Sequence, residues 1–180
     1  MLSTTIPLLG FAAYSGTGKT TLLKQLIPLL RDGGVRLGVI KHAHHQVEVD
    51  HPGKDSYELR KAGADRVLLA SSRHWALMVD EPQQREPELP ELLERIDCRA
   101  LDLVLVEGFR HLPFPKIELH RPSLHKPLLF LQDSSVIAVA SDSAIEQEIP
   151  LPQLDLNDIS AIARFVRDYC SGFTATISQP

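Results

Sequence analysis

Eight residues, Ala13-Tyr-Ser-Gly-Thr-Gly-Lys-Thr20, place small residues, a lysine and a hydroxyl at the spacing of a loop that wraps phosphate. Glycines at 16 and 18 let the backbone close on an anion without a Cβ in the way. Lys19 can set its ammonium between the β- and γ-phosphates, and Thr20 can give its hydroxyl to Mg2+. Ala13 stands where the strict pattern has glycine, a small residue that the relaxed pattern allows. Ser15, Gly16, Thr17, Gly18, Lys19, Thr20 and Thr21 are therefore the candidate nucleotide-binding residues. A plain glycine turn with a solvated lysine is the alternative, and the flanks argue against it. The apolar run Ile6 to Ala13 precedes the loop, and Leu22, Leu23, Leu26, Ile27 and Leu30 follow at helical spacing. Strand, glycine-rich turn and helix in that order make successive N–H groups and the helix N-terminus converge on one anion.

A metal bound with the phosphates needs carboxylates. Leu103-Val-Leu-Val-Glu107-Gly108 is an apolar strand ending in an acid, so Glu107 falls at the carboxyl end of its strand, where open α/β sheets bind ligands. Asp102 starts the same strand and is the weaker candidate. Asp50 and Asp55 follow the second strand in a loop expected beside the γ-phosphate. Either can hold a metal-bound water or orient an attacking one, although Asp55 also suits a helix N-cap. Thr20, Glu107 and Asp50 are the candidate metal ligands, and Asp50 and Asp55 the candidate catalytic acids. Lys41, Lys54 and Arg60 are possible counter-charges to phosphate, but solvated faces account for such residues equally well. His42, His44 and His45 invite a zinc reading; with no cysteine nearby, a basic loop facing phosphate is at least as good an account. No Asn-Lys-x-Asp run marks a guanine site. The nearest match is Val139-Ala-Ser-Asp142, where Asp142 can accept from N1 and N2 of guanine or serve as a turn residue.

The elements that must position these groups alternate. Strands are expected at Ile6 to Ala13, Val35 to Ile40, Leu101 to Val106, Ile117 to Leu119, Leu128 to Leu131 and Val136 to Ala140. Helices are expected over Thr20 to Arg31, with Gly33-Gly34 as the stop, and over Asp55 to Ala62, with Asp55 as N-cap, Glu58 completing a capping box and Gly63 as the stop. Two more are expected over Leu89 to Ile96 and from near Asn157. Pro28 removes a donor inside the first helix and predicts a kink or an early end there. Val67 to Ala70 and Trp75 to Val79 form a β-hairpin that can join the sheet edge. The pattern implies a doubly wound α/β fold, a mainly parallel sheet of the P-loop NTPase type with a β-hairpin addition. Residues 1–170 are expected to form the nucleotide-binding domain and 171–180 a flexible tail.

The 180 residues suit one compact domain, with 43% hydrophobic and 23% charged residues. A formal charge of −4 argues against broad binding to nucleic acid or an anionic membrane, so a phosphate partner must be held by a local site. Cys98 and Cys170 make no disulfide framework and lack CxxC spacing. With no signal segment and no membrane span expected, the sequence reads as cytoplasmic.

Taken together, Gly10 to Leu23, Val39-Ile-Lys-His-Ala-His-His45, Asp50-His-Pro-Gly-Lys-Asp-Ser56, Lys61-Ala-Gly-Ala64 and Asp102 to Arg110 resemble the molybdopterin-guanine dinucleotide biosynthesis adapter proteins (MobB), from about residue 6 to about residue 169. The phosphate loop is generic, whereas the histidine block, the Pro-Gly-Lys-Asp-Ser block and Val-Glu-Gly-Phe are specific. The resemblance implies a GTP-binding protein with weak GTPase activity that associates with the guanylyltransferase of molybdenum-cofactor synthesis, usually as a homodimer. It places the family's phosphate-binding residues on Gly16 to Thr21 and the acid of its second motif on Glu107. The chain also resembles, more loosely at Asp55-Ser-Tyr-Glu-Leu-Arg60, the signal-recognition-type GTPases.

Three functions compete at this point. The first is a GTP- and Mg2+-binding adapter with slow hydrolysis. The second is a P-loop kinase phosphorylating a small metabolite, which needs a mobile arginine-rich lid; Arg110 and Arg121 stand isolated in the sequence. The third is a binding module whose nucleotide site has lost its use, against which the intact Lys19-Thr20 pair argues.

Overall fold

A computed structural model of the chain describes residues 4–43, 49–81 and 85–173. Along the chain run β1 (Leu8–Ala12), α1 (Lys19–Asp32), β2 (Leu37–Lys41), α2 (Asp55–Lys61), β3 (Arg66–Ala70), β4 (Trp75–Val79), α3 (Leu89–Arg95), β5 (Leu103–Glu107), β6 (Lys116–His120), β7 (Val136–Ser141), β8 (Gln153–Asp155) and α4 (Ile159–Ser171). They divide into two compact units: Met1–His42 with Glu88–Pro180, and Ala43–Pro87.

The first unit is built on a six-stranded sheet in the order β2-β5-β1-β6-β7-β8, with every adjacent pair parallel. All five residues of β1 are buried, as an inner strand covered on both faces requires. One face packs on α1 and α4 through Leu22, Leu26 and Leu30 with Ile162, Ala163 and Val166. The other packs Leu8, Val104 and Val106 with Leu89, Leu92 and Leu93 of α3. Because β1 is interior, the turn after it opens at the middle of the sheet's carboxyl edge, between Glu107 at the end of β5 and His120 at the end of β6.

The second unit holds α2 and the antiparallel hairpin β3–β4, paired in register from Arg66↔Val79 to Ala70↔Trp75. The hairpin is a two-stranded sheet of its own rather than an addition to the edge of the larger one. Asp55 is the first helical residue of α2 and not its N-cap, which is Lys54. Glu58 nevertheless reaches back, accepting from the Gly53 N–H at 3.3 Å, and Gly63 ends the segment at φ 108°.

Two further expectations give way. Helix α1 runs through Pro28 to Asp32. Pro28 and Lys24 are both exposed, so water can take the carbonyl that lacks a donor, while Leu26 and Leu30 are wholly buried. Leu128 to Leu131 is not a strand, since Leu129–Leu131 forms a 3-10 turn. The cause is Glu118, a buried carboxylate on β6, which accepts the Leu129 and Phe130 N–H groups at 2.7 and 2.9 Å and so removes the donors a ladder would use. Strand β8 was not expected. Among the described residues no helix is long and apolar enough to cross a membrane.

Candidate functional site

The loop from Ala13 closes as its composition demands. Gly16 and Gly18 take φ of 83° and 99°, the left-handed region that L side chains disfavour. Gly18 is also the N-cap of α1, and neither a capping side chain nor an acid in the first turn competes for the helix's free N–H groups. An anion is the partner such an end lacks. Thr17 is buried and fixes the turn from inside, its hydroxyl donating to the Tyr14 carbonyl at 2.8 Å. Lys19 donates its ammonium to the Ala13 carbonyl at 3.0 Å, bridging the two ends of the loop. Burial pushes the Lys19 pKa below its ordinary value; Glu107 opposes that shift, and Arg110 and Lys41 add to it.

Ser15, Gly16, Gly18, Lys19, Thr20, Thr21 and Glu107 line one cleft of about 350 Å3, bringing together the phosphate loop and the expected strand-end acid. Glu107 is the last residue of β5 and lies in register with Lys41 of β2, whose ammonium is 3.4 Å away. The turn after it is tight: Gly108 has φ 104°, and a Cβ there would lie 2.6 Å from that of His42. His42 stacks on Phe109, ring centroids 4.5 Å apart at 17°. Val-Glu-Gly-Phe is thus a local structure, in which only glycine fits between the acid and the aromatic ring.

A second cleft of about 260 Å3 adjoins the loop, lined by Thr17, Gly18, Thr21, Gln25, Arg121 and Asn157 among others. Arg121, isolated in the sequence, is not isolated in the fold. It donates Nε to the Thr17 carbonyl at 2.9 Å and Nη1 to Asp142 Oδ2. Asp142 therefore meets an arginine at the end of β7. The one signal available in the sequence was position: Arg121 follows an apolar strand aimed at the same sheet edge as Glu107.

Asp50 and Asp55 belong to the smaller unit. Asp50 accepts the His51 N–H on Oδ1 at 2.9 Å, and its Oδ2 is buried with no hydrogen-bond partner among the described residues. His44 and His45 lie outside the described residues, and among those described no group of three or more His, Cys, Asp or Glu is placed to hold a metal ion. Asp102 sits at the amino end of β5, the opposite end from Glu107, and is bound to Arg36.

Comparison with known proteins accounts for the combination. Residues 8–142 match the family model described as MobB, molybdopterin guanine dinucleotide synthesis protein B. A molybdopterin-guanine dinucleotide biosynthesis adapter protein of Escherichia coli (strain K12) is 53% identical over 167 residues, 92% of this chain and 94% of the relative. Its counterpart in Haemophilus influenzae is 45% identical, covering 93% and 92%. The crystal structure of Bacillus subtilis MobB shares the fold with a TM-score of 0.74, at 24% identity over 93% of this chain and 100% of that one. With a family model spanning most of the chain and relatives aligned nearly end to end, the chain belongs to the MobB family.

Proposed function

We propose that this chain holds GTP with Mg2+ and acts as an adapter for the enzyme that attaches GMP to molybdopterin, with hydrolysis too slow to be its main output. The observation that carries the reading is the joining of the phosphate loop and Glu107 in one cleft, in a chain whose relatives are named as adapters of that pathway. Uncapped helix N–H groups, two positive-φ glycines and a partly desolvated lysine fit a triphosphate. Thr20 and Glu107, which line one cleft, offer the oxygen donors a hard divalent cation prefers, and Asp50 is a further candidate by residue type. When bound, that cation screens phosphate charge. Gly16 to Thr21 orient the triphosphate, Lys19 holds the β- and γ-phosphates, and Asp50 or Asp55 positions a water. Asp50 is favoured because its second oxygen has no hydrogen-bond partner among the described residues.

Slow turnover is in keeping with the position of Arg121. A cis arginine finger contributes roughly 10³ to 10⁵ in rate where one exists, and Arg121 is tied to a backbone carbonyl and Asp142. The hairpin supplies the contact for a homodimer. Leu68 and Leu77, paired across it, are 63% and 51% exposed and Trp75 is 72% exposed, and among the described residues neither edge of the two-stranded sheet pairs with another strand, which leaves them for a second copy. The proposed setting is the cytoplasm.

The test compares GTP hydrolysis by the isolated protein with cofactor guanylylation by the transferase at limiting GTP, with and without this chain. The adapter reading expects tight binding, poor turnover and a stimulated transferase. Rapid GTPase turnover, or phosphoryl transfer to a small metabolite, with no effect on the transferase would overturn it.

A further inference from the structure

Arg121 reaches the phosphate loop from another strand's end and bonds to the loop's backbone, across 104 residues of sequence. We infer that Arg121 is a positioning residue for the phosphate loop, locking the Thr17–Gly18 peptide in its anion-binding orientation, and that Asp142 serves to hold Arg121 rather than to read a base. The inference rests on the reading above that the loop binds a nucleotide.

The Thr17 carbonyl points at Arg121 Nε, 2.9 Å away. In a planar trans peptide the following N–H points to the opposite side, so holding that carbonyl turns the Gly18 N–H away from the guanidinium. Gly18 and Thr21 are shared by the 350 and 260 Å3 clefts, and the Gly18 backbone lies in the wall between them. Arg121 stands on one side of that wall, with Nη2 3.7 Å from where a Cβ on Gly18 would lie. The Gly18 backbone is left-handed, at φ 99° and ψ 24°. A glycine peptide in that region flips cheaply unless its carbonyl is bonded, because no Cβ restrains it. The Thr17 hydroxyl cannot do this, being engaged with Tyr14.

Asp142 completes the clamp. Its Oδ2 accepts Arg121 Nη1, and both side chains are partly shielded, 21% and 34% exposed. One planar guanidinium thus joins the end of β7 to the loop after β1, a fork that a lysine's single nitrogen cannot reproduce. Arg121 thus already engages one of the two oxygens with which a carboxylate would accept N1–H and N2–H of guanine.

The experiment titrates the full chain and its R121A, R121K and D142A variants by calorimetry with sodium tripolyphosphate, GTP and ATP. It also follows the Gly18 amide nitrogen shift in the free proteins. R121A and R121K are expected to weaken all three ligands by a common factor of about ten, a charge-assisted contact to the loop being lost, and to move the Gly18 resonance. D142A is expected to weaken all three by a smaller common factor, leaving the GTP-to-ATP ratio unchanged. A D142A variant that selectively loses GTP would overturn the role given to Asp142. If R121A fails to fold, R121K carries the test. A folded R121K that binds tripolyphosphate as the wild type does defeats the inference alone, whereas a wild type that binds none of the ligands defeats the nucleotide reading as well.

Discussion

Asp102 and Glu107 bracket the same strand, β5, in different surroundings. Asp102, at the amino end, accepts the Arg36 backbone N–H at 2.9 Å, Nε at 3.0 Å and Nη2 at 2.6 Å. Glu107, at the carboxyl end, meets Lys41 at 3.4 Å and faces the loop that carries Lys19. The two ends of the sheet divide in the same way. The amino end holds an apolar cavity of about 500 Å3, lined by Leu8, Phe114, Ile137 and Phe173, with the Tyr169 hydroxyl donating to the Leu8 carbonyl at 3.0 Å. The carboxyl end holds the polar clefts around Gly18. A larger cavity is therefore no guide to the chemistry here. An acid is informative when its oxygens remain available, and a helix end is informative when no side chain caps it.

Substitutions at the two ends should separate binding from stability. Lys19→Ala should produce the largest effect, a loss of at least ~1.4 kcal/mol in triphosphate affinity, or tenfold, because a charge-assisted contact disappears. Calorimetry on the folded variant checks it, and unchanged GTP affinity would remove the phosphate-loop assignment. Glu107→Gln should keep nucleotide binding in the absence of magnesium and lose the magnesium-dependent part of binding and turnover, since the amide keeps the shape but not the charge. Undiminished magnesium stimulation would place the metal elsewhere. At the other end, Tyr169→Phe should lower stability by about 1 kcal/mol through the lost hydrogen bond to Leu8, read as a shift in the urea midpoint. GTP affinity should not change; if it did, the two ends would be coupled.

The phosphate loop was legible because its requirements are local. Glycines at 16 and 18, the lysine and the hydroxyl must follow one another within one turn between a strand and a helix. Glu107 was legible because four apolar residues announce a buried strand and the acid ends it. The Arg121 clamp was not, since nothing near Thr17 in sequence signals an arginine 104 residues away. Leu128 to Leu131 looked like a strand on composition, and only the fold brings the Glu118 carboxylate to its N–H groups. Strand β8, Gln153–Asp155, is three residues long, too short for a periodic signal. The hairpin was correctly located from its apolar runs, but composition cannot distinguish two more strands of a large sheet from a sheet of two.

Asp102→Asn should show the smallest effect, and its pH dependence separates it from Glu107. The hydrogen bonds from Arg36 hold the Asp102 carboxyl down at about 2, below the ordinary 3.8. A carboxyl whose pKa is depressed by folding adds stability that is fully present above the unfolded value and is lost as pH falls through the folded one. The difference in urea midpoint between wild type and Asp102→Asn should therefore be constant from pH 7 to about 5, shrink below 3.8 and vanish near 2. Both partners are open to solvent, with side chains 62% and 41% exposed, so the difference should be small throughout and should diminish further in salt. Triphosphate binding should be untouched at every pH, because Asp102 lies at the far end of β5 from the loop. A binding defect in this variant, or a stability difference that grows toward pH 2, would mean that the amino-end acid is more than a clip between β2 and β5.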